Sequence, residues 1–507
     1  MRLRNTRFAA AFASAALVIA AAGSSATNAT AAPATCAARV NSTIASLLEC
    51  VELAGVREHQ AALQAIADAN GGTRFSGSPG FDASAAYVAD KLRAAGWTVT
   101  TQPFDFVTFE ELSPSVLEEV APVARSLPHN IMSYSGSGDV TAAVSTPSGD
   151  QRGCVASDWA GFPAGNIALV SRGTPTGFPV ACTFALKASN AIAAGATGVI
   201  VYNNIAGPLN GTLGAGFTGN VPVVGIEQAL GLELAATPGL IVHLKTDTLR
   251  ETVTTSNVLA ELRGKNSSNV VMAGAHLDSV NAGPGINDNG SGSAALVEIA
   301  ENLAKVKPQN TLRFAWWGAE EANLIGSTFY VNTLPMAELQ KIALYLNFDM
   351  IGSPNYVFFI YDGDDSDRTG AGPGPAGSAQ IEKTFEAYFT SRGLPFKGTD
   401  FSGRSDYGPF IASGVPSGGL FTGAEGIKTA QEAAIWGGTA GQAYDPCYHQ
   451  ACDTYANNNN TALAENSDAV AYAVLSYAMS TNLINGTKSK GNFRPPPPPG
   501  EVVLATS

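Results

Sequence analysis

The stretch Val270-Val-Met-Ala-Gly-Ala-His276-Leu-Asp278 is an apolar run that ends in an imidazole and a carboxylate. From Val270 to Ala275 it carries no charge and many small side chains, which suits a strand buried on both faces, as the strands of parallel sheets are. The same plan recurs downstream. Asn257 to Leu262 and Thr311 to Trp317 read as strands, and the second ends in Gly318-Ala319-Glu320-Glu321. Ala343 to Phe348 reads as another strand and ends in Asp349. Helical patterns fall between them, from about Ser293 to Lys305 and near Ile325 to Val331. Apolar strands alternating with amphipathic helices predict an α/β fold: a doubly wound, largely parallel central sheet flanked by helices.

In such sheets the functional groups gather in the loops that leave the carboxyl ends of the strands. Those ends supply His276, Asp278, Glu320, Glu321 and Asp349, and the Gly, Pro and Asn-rich loop from Asn281 to Gly292 adds Asp288. Taken singly these residues say little: His-x-Asp is common, paired glutamates usually start a solvated helix, and an aspartate after a strand is usually a cap. Their conjunction is informative, because charged groups beside a dry core are costly to bury without a cation. A mixture of histidine and carboxylates points to zinc more than to calcium or magnesium. The chain has five histidines, His59, His129, His243, His276 and His449. His449 lies in Asp445-Pro-Cys447-Tyr448-His449-Gln-Ala-Cys452-Asp453, where a small disulfide loop would hold its ring rigidly. His59, His129 and His243 stand in no metal-like pattern in the sequence and are assigned no role.

Composition narrows the function classes. The 507 residues carry 29 Lys and Arg against 42 Asp and Glu, a net charge of −13. An acidic chain without a basic run lacks the field that binds nucleic acid or an anionic membrane surface. With 45% hydrophobic and 14% charged residues the chain is a folded globular protein. Arg2, Arg4 and Arg7, the apolar run Phe8 to Ala22 and the small residues up to Ala34 have the plan of a secretory signal peptide, so a secreted, extracellular protein is expected. No other segment approaches ~18 uninterrupted apolar residues, so no membrane anchor is expected. Proximity suggests pairing Cys36 with Cys50, Cys154 with Cys182 and Cys447 with Cys452, in an oxidising compartment. Sequons stand at Asn41, Asn210, Asn266, Asn289 and Asn485, and the one at Asn289, inside the candidate site, is expected to stay unmodified.

Along the chain, helical stretches run from His59 to Asn70 and from about Asp82, read as an N-cap, to Ala95, and a strand follows from Trp97 to Phe104. Near residue 120 the composition changes to short β-rich runs, which continue to about Leu249 and include strands at Asn166 to Val170 and Gly198 to Tyr202 and a helix at Phe184 to Ala194. The expected division is a signal peptide at 1–34, a main domain from 35–119 and 250–487, an insertion at 120–249, and a Pro-rich tail at 488–507 containing Pro495 to Pro499. The last helix is expected from about Ser467 to Leu483.

Five segments in order resemble a known family. Ala-Gly-Ala-His276-Leu-Asp278-Ser-Val, Gly-Ile-Asn-Asp288-Asn-Gly-Ser-Gly, Trp-Trp-Gly-Ala-Glu320-Glu321, Asn-Phe-Asp349-Met-Ile-Gly and Cys-Tyr-His449 are similar to those of the secreted two-zinc aminopeptidases, the group of bacterial leucine aminopeptidases and the aminopeptidase Y type. The resemblance spans roughly Glu58 to Leu483, and the 120–249 insertion resembles a protease-associated domain. It implies two Zn2+ per chain, one held by His276 and Asp349, the other by Glu321 and His449, with Asp288 bridging. It implies Glu320 as general base, Asp278 as the partner that fixes the His276 ring, and Tyr448 as donor to the oxygen of the tetrahedral intermediate. The implied reaction is hydrolysis of the N-terminal peptide bond of peptides with a free N-terminus, by a monomer.

Phe401 to Phe410 also resembles the bacterial enzymes and would place Arg404 near substrate, the alternative being a buried Arg–Asp pair. Phe421-Thr-Gly-Ala-Glu-Gly-Ile would line an apolar pocket favouring leucine-like residues. One feature departs from some bacterial relatives, which bind calcium through two acids four residues apart: Asp468 is present but its counterpart is Ala464, and no calcium is expected. The rival readings are a carboxypeptidase or dipeptidase, which needs a basic cluster where only Arg404 is a candidate; a glutaminyl cyclase, which needs one zinc and no His276; and a non-catalytic binding protein, in which the ligand set would have eroded.

Overall fold

The run around Val270 is the strand Asn266–His276, buried from Asn269 onward. Parallel neighbours lie on both sides of it, Asn310–Trp317 and Ile342–Phe348, and Ser417–Phe421 continues the parallel set. Side chains alternate between two cores, as the pleat requires. Val271, Ala273, Phe314 and Trp316 pack with Leu296, Ile299, Leu463 and Val470 on one face. Val270, Met272, Ala315 and Trp317 pack with Tyr330, Tyr345 and Phe410 on the other. Burial on both faces explains why these strands read as continuous apolar runs.

The structure, a computed structural model, describes residues 36, 38–368, 370 and 372–486, so the expected signal peptide and Pro-rich tail lie outside the described residues. The central sheet has eight strands. Its edges depart from the parallel pattern. Thr98–Val107 leads into the insertion and Thr252–Leu262 leads out of it, so the two pair antiparallel, from Thr98 opposite Glu261 to Val107 opposite Thr252. At the other edge Phe359–Tyr361 runs antiparallel to Ser417–Phe421 and parallel to Lys397–Thr399.

The helices Leu53–Ala69, Pro79–Ala94, Gly290–Leu303 and Asn460–Met479 cover the first face. Pro79–Ala94 starts at proline and is capped by Ser78, whose hydroxyl accepts from the N–H of Phe81; Asp82 lies in its first turn and is not the cap expected from sequence. The last long helix starts at Asn460 and ends at Met479, earlier at both ends than expected, because Asn459 at the end of an asparagine-rich stretch accepts from the N–H groups of Thr461 and Ala462. Gly290–Leu303 is capped by Asn289, and a Cβ at Gly292 would run into the carbonyl of Phe348. Glycine there lets this helix start directly against the end of the Ile342–Phe348 strand, where the site forms.

A second eight-stranded sheet belongs to the insertion. Gly138–Ser145, Ile167–Ser171, Gly198–Tyr202 and Val223–Ile226 are its parallel part. Glu110–Ala121 pairs with Ile241–Leu249 in this sheet, so it begins ahead of the boundary expected at 120 and closes at Leu249. The early part of the strand is exposed and polar, without the composition of a core strand, so the sequence does not mark where this sheet begins. Disulfides join Cys36 to Cys50, Cys154 to Cys182 and Cys447 to Cys452, as expected. Among the described residues no helix is long and apolar enough to cross a membrane.

Candidate metal centre

Adjacent parallel strands end side by side, so the residues at their carboxyl ends converge. His276 closes its strand, Glu320 and Glu321 follow Trp317, and Asp349 follows Phe348. Asp288 enters on the loop that feeds helix Gly290–Leu303, and His449 arrives from the loop closed by Cys447–Cys452. Two triads result. His276 Nε2 lies 3.2 Å from Asp288 Oδ1 and 3.2 Å from Asp349 Oδ1. His449 Nε2 lies 3.3 Å from Asp288 Oδ2 and 3.0 Å from Glu321 Oε2. Asp288 therefore turns one oxygen to each triad. The backbone holds unusual conformations here: Ala319, Met350 and His449 have positive φ of 54°, 51° and 57°, each at or next to one of these acids or imidazoles.

The donor chemistry fits two cations. His276 Nδ1 lies 3.1 Å from the carbonyl oxygen of Asp278. A carbonyl only accepts, so Nδ1 carries a proton and Nε2 is the atom turned to Asp288 and Asp349, where either a proton or a cation would supply the positive charge that two carboxylates call for. Glu321 Oε1 is buried without a hydrogen-bond partner. Burial pushes the Asp288 carboxyl up, but the imidazoles of His276 and His449 outweigh it and hold the group well below the usual carboxylate range. Burial opposes a charge on His449, yet Glu321 and Asp288 raise its pKa to about 10. For Glu320 burial dominates: with His276 opposing and Asp349, Asp406 and Glu321 adding, its carboxyl rises well above the ordinary value.

Asp278 is placed differently from the expectation. Its carboxylate stands 3.7 Å from His276 Nδ1, and it is the backbone carbonyl that meets the ring. The carboxylate instead accepts from the backbone N–H groups of Glu320, at 3.2 Å, and Glu321, at 3.4 Å. Burial, opposed by His276, raises its pKa to about 7.

A cavity of about 330 Å³ opens over the two triads, with Glu320, Tyr448, Arg404 and Phe421 in its lining. Phe359, Tyr361, Phe421 and Tyr444 give it an apolar side. The Tyr448 ring stacks on that of His449 with centroids 3.8 Å apart. Arg404 donates to Tyr448 Oη at 3.1 Å and to Glu425 Oε1 at 2.6 Å, so the Arg–Asp pair weighed as its alternative does not form.

Several supporting residues escaped the sequence reading. Arg74 is fully buried and donates to the carbonyls of Leu277, Pro284 and Gly285, clamping both ends of the loop before Asp288. Burial lowers its pKa to about 10, against Asp278, Asp453, Asp288 and Glu321. Asp453 accepts from the N–H groups of Asn287, at 2.8 Å, and Asp288, at 2.9 Å. Ser405 donates to Asp349 Oδ2 at 2.6 Å. Asp453 was visible beside Cys452, but nothing local signalled that it reaches Asp288.

Two family descriptions match the chain, Peptidase family M28 over residues 257–474 and the PA domain over residues 137–234. The aminopeptidase of Pseudomonas aeruginosa (strain UCBPP-PA14) is 47% identical over 460 residues, covering 88% of this chain and 84% of that protein. Leucine aminopeptidase 2 of Trichophyton rubrum is 43% identical over 433 residues, covering 84% of each. BSAP, a zinc aminopeptidase from Bacillus subtilis, aligns in structure with a TM-score of 0.57 at 26% identity, over 84% of this chain and 95% of that one. Identity of this degree along most of both sequences, together with the match over the residues that carry the triads, establishes that the chain belongs to peptidase family M28, with a PA domain inserted.

Proposed function

We propose that this chain is a secreted aminopeptidase that binds two zinc ions and hydrolyses the N-terminal peptide bond of peptides, favouring apolar N-terminal residues. The observation that carries the reading is Asp288, whose two oxygens each complete a His-carboxylate triad. His276 and Asp349 would hold one ion, Glu321 and His449 the other, with Asp288 shared. Bound there, the ions supply Lewis-acid charge beside the scissile carbonyl and bring the pKa of an attacking water toward ~7. Glu320 acts as the base that takes the proton of that water and as the acid that returns it to the leaving amine, a role suited to a carboxyl raised by burial. Tyr448, itself receiving a hydrogen bond from Arg404, donates to the oxygen of the tetrahedral intermediate. Asp278 holds the Glu320–Glu321 backbone in register with His276.

Cavity chemistry favours an amino terminus over a carboxyl terminus. Asp288, Glu320, Glu321 and Asp349 line it, whereas Arg404 is its only Lys or Arg among the described residues and is paired with Glu425. That arrangement repels a substrate carboxylate and supports the aminopeptidase reading over a carboxypeptidase. Phe359, Phe421 and Tyr444 supply an apolar surface for the first side chain, in keeping with the leucine aminopeptidase name of one relative. The three disulfides suit an oxidising compartment, in keeping with secretion. The test is release of free leucine from leucine anilides, with Glu320→Gln expected to lose ~10²- to 10⁴-fold in kcat while retaining its zinc. Equal turnover by parent and Glu320→Gln, or full activity after exhaustive chelation, refutes the mechanism.

A further inference from the structure

His59 follows Glu58 in the chain, an exposed acid that pairs with Lys91, and the fold brings two further acids to its ring. It lies on helix Leu53–Ala69, and Glu298 and Glu301, three residues apart on the facing helix Gly290–Leu303, point at it from one face. His59 is 2% exposed and Glu298 7%. His59 Nε2 stands 3.6 Å from Glu298 Oε2 and 3.6 Å from Glu301 Oε2. These separations are too long for hydrogen bonds. Both match the spacing of donors around a tetrahedral ion, where bonds of ~2.0–2.2 Å put ligand atoms ~3.3–3.6 Å apart, and the three ligand atoms all lie within 4.8 Å of one another.

The surroundings orient all three donors. Tyr87 Oη lies 2.7 Å from His59 Nδ1 and holds the ring in place; when Nδ1 donates to that oxygen, Nε2 is free to act as a ligand. Each glutamate uses its other oxygen elsewhere: Asn302 Nδ2 donates to Glu298 Oε1 at 2.8 Å, and Lys91 Nζ stands 3.7 Å from Glu301 Oε1. Both Oε2 atoms are thereby left turned to the ring. Gly55, one turn before His59, makes room, because a Cβ there would overlap the Glu298 carboxylate. Glycine in this first turn of the helix keeps a carboxylate seated between two packed helices. Glu301 is half-buried, which leaves solvent a route to a fourth ligand position.

We propose that His59, Glu298 and Glu301 form a further cation site for zinc or a similar divalent transition metal, separate from the centre at Asp288, which cross-links helix Leu53–Ala69 to helix Gly290–Leu303. Glu298 is ten residues beyond Asp288, roughly 15 Å along the helix at its rise per residue, so the ion is structural and touches no substrate. Histidine with two carboxylates and an open position suits zinc chemistry. The competing account is a proton in place of the ion, an imidazolium held between two glutamates.

The experiment compares the intact parent with Glu298→Gln and Glu301→Gln, each loaded with zinc, freed of excess and assayed for metal per chain, melting temperature and leucine anilide hydrolysis. Each variant is expected to hold one zinc fewer than the parent, to show a smaller rise in Tm on adding zinc than the parent does, and to keep its kcat/KM. Because the comparison is with the parent, it stands whatever number of ions the Asp288 centre holds. Glu301→Gln, at the half-exposed position, provides the answer should Glu298→Gln fail to fold. Equal zinc content in the parent and Glu301→Gln overturns the proposal, as does the absence of anomalous zinc scattering beside His59 Nε2 in crystals of the parent; either result leaves the proton as the occupant.

Discussion

Ser405 connects the centre to the aromatic core, and its replacement by alanine tests whether that connection positions Asp349. Trp317 Nε1 donates to Tyr345 Oη at 2.7 Å, and Tyr345 donates to Asn347 Oδ1 at 3.0 Å. Asn347 Nδ2 in turn donates to Ser405 Oγ at 2.8 Å, and Ser405 donates to Asp349 Oδ2 at 2.6 Å. All five residues are buried, so each bond acts where water cannot replace it. Removing the last one deletes a hydrogen bond to a charged group, about 1.5–3 kcal/mol, or ~10- to 150-fold in an equilibrium constant. Since Asp349 Oδ1 is the oxygen that faces His276, the loss should appear as weaker zinc binding. Asn347 Nδ2 is also left without its acceptor, which costs a further ~1–3 kcal/mol of folding stability.

The assay is activity across buffered free zinc, together with thermal melting. Ser405→Ala is expected to need ~10- to 150-fold more zinc for half-maximal activity, to approach parental kcat at saturation and to melt a few degrees lower; Ser405→Thr, which keeps the hydroxyl, should restore most of the zinc affinity. If the zinc midpoint is unchanged while the melting temperature falls, Ser405 supports folding only and the positioning argument is wrong.

Two further expectations follow from the geometry. Cys447 and Cys452 are five residues apart, so their bond restricts only a short loop and contributes about 2 kcal/mol on loop-entropy grounds, yet it frames His449; replacing both by alanine should lower kcat/KM far more than the modest fall in melting temperature would imply, and parallel losses in the two would refute the framing role. Glu432 accepts from Lys397, Thr429 and Tyr444 at 2.8 to 2.9 Å, and although burial opposes it, these donors lower its pKa from 4.5 to about 2. With the folded value below the unfolded one, its stabilisation is complete above pH ~4.5 and disappears as the pH falls toward 2. Denaturant melts of the parent and Glu432→Gln should therefore differ at pH 6 and converge near pH 2; a constant difference across that range would contradict the shift. Because Tyr444 lines the cavity, the variant should also raise KM for leucine substrates.

Much of the centre was legible before any coordinates because it is local in a special sense. Each residue of the two triads stands at the end of an apolar strand or in a short loop flanked by glycine or cysteine, and a parallel sheet brings such ends together. The residues that were not legible act over long separations. Arg74 reaches carbonyls at Leu277 and Gly285, Asp453 reaches the backbone of Asp288, and Ser405 reaches Asp349. Nothing near them in the chain distinguishes a buried clamp from an ordinary arginine, aspartate or serine. For Asp278 the tertiary structure adds contacts that the sequence does not show: its carboxylate stands 3.7 Å from His276 Nδ1 and accepts from the Glu320 and Glu321 backbone.

The sequence by itself determined the alternation of strands and helices, the residues at the strand ends, the three pairs of cysteines and the family, because these depend on hydrophobic period, turn chemistry and ordered motifs. Tertiary structure decided which oxygen of each carboxylate faces which imidazole, that Arg404 pairs with Glu425, where the second sheet begins, and that His59 meets Glu298 and Glu301. Those outcomes depend on the crossing of helices and the register of strands that are far apart in the chain, and no local pattern encodes the angle at which two packed elements meet.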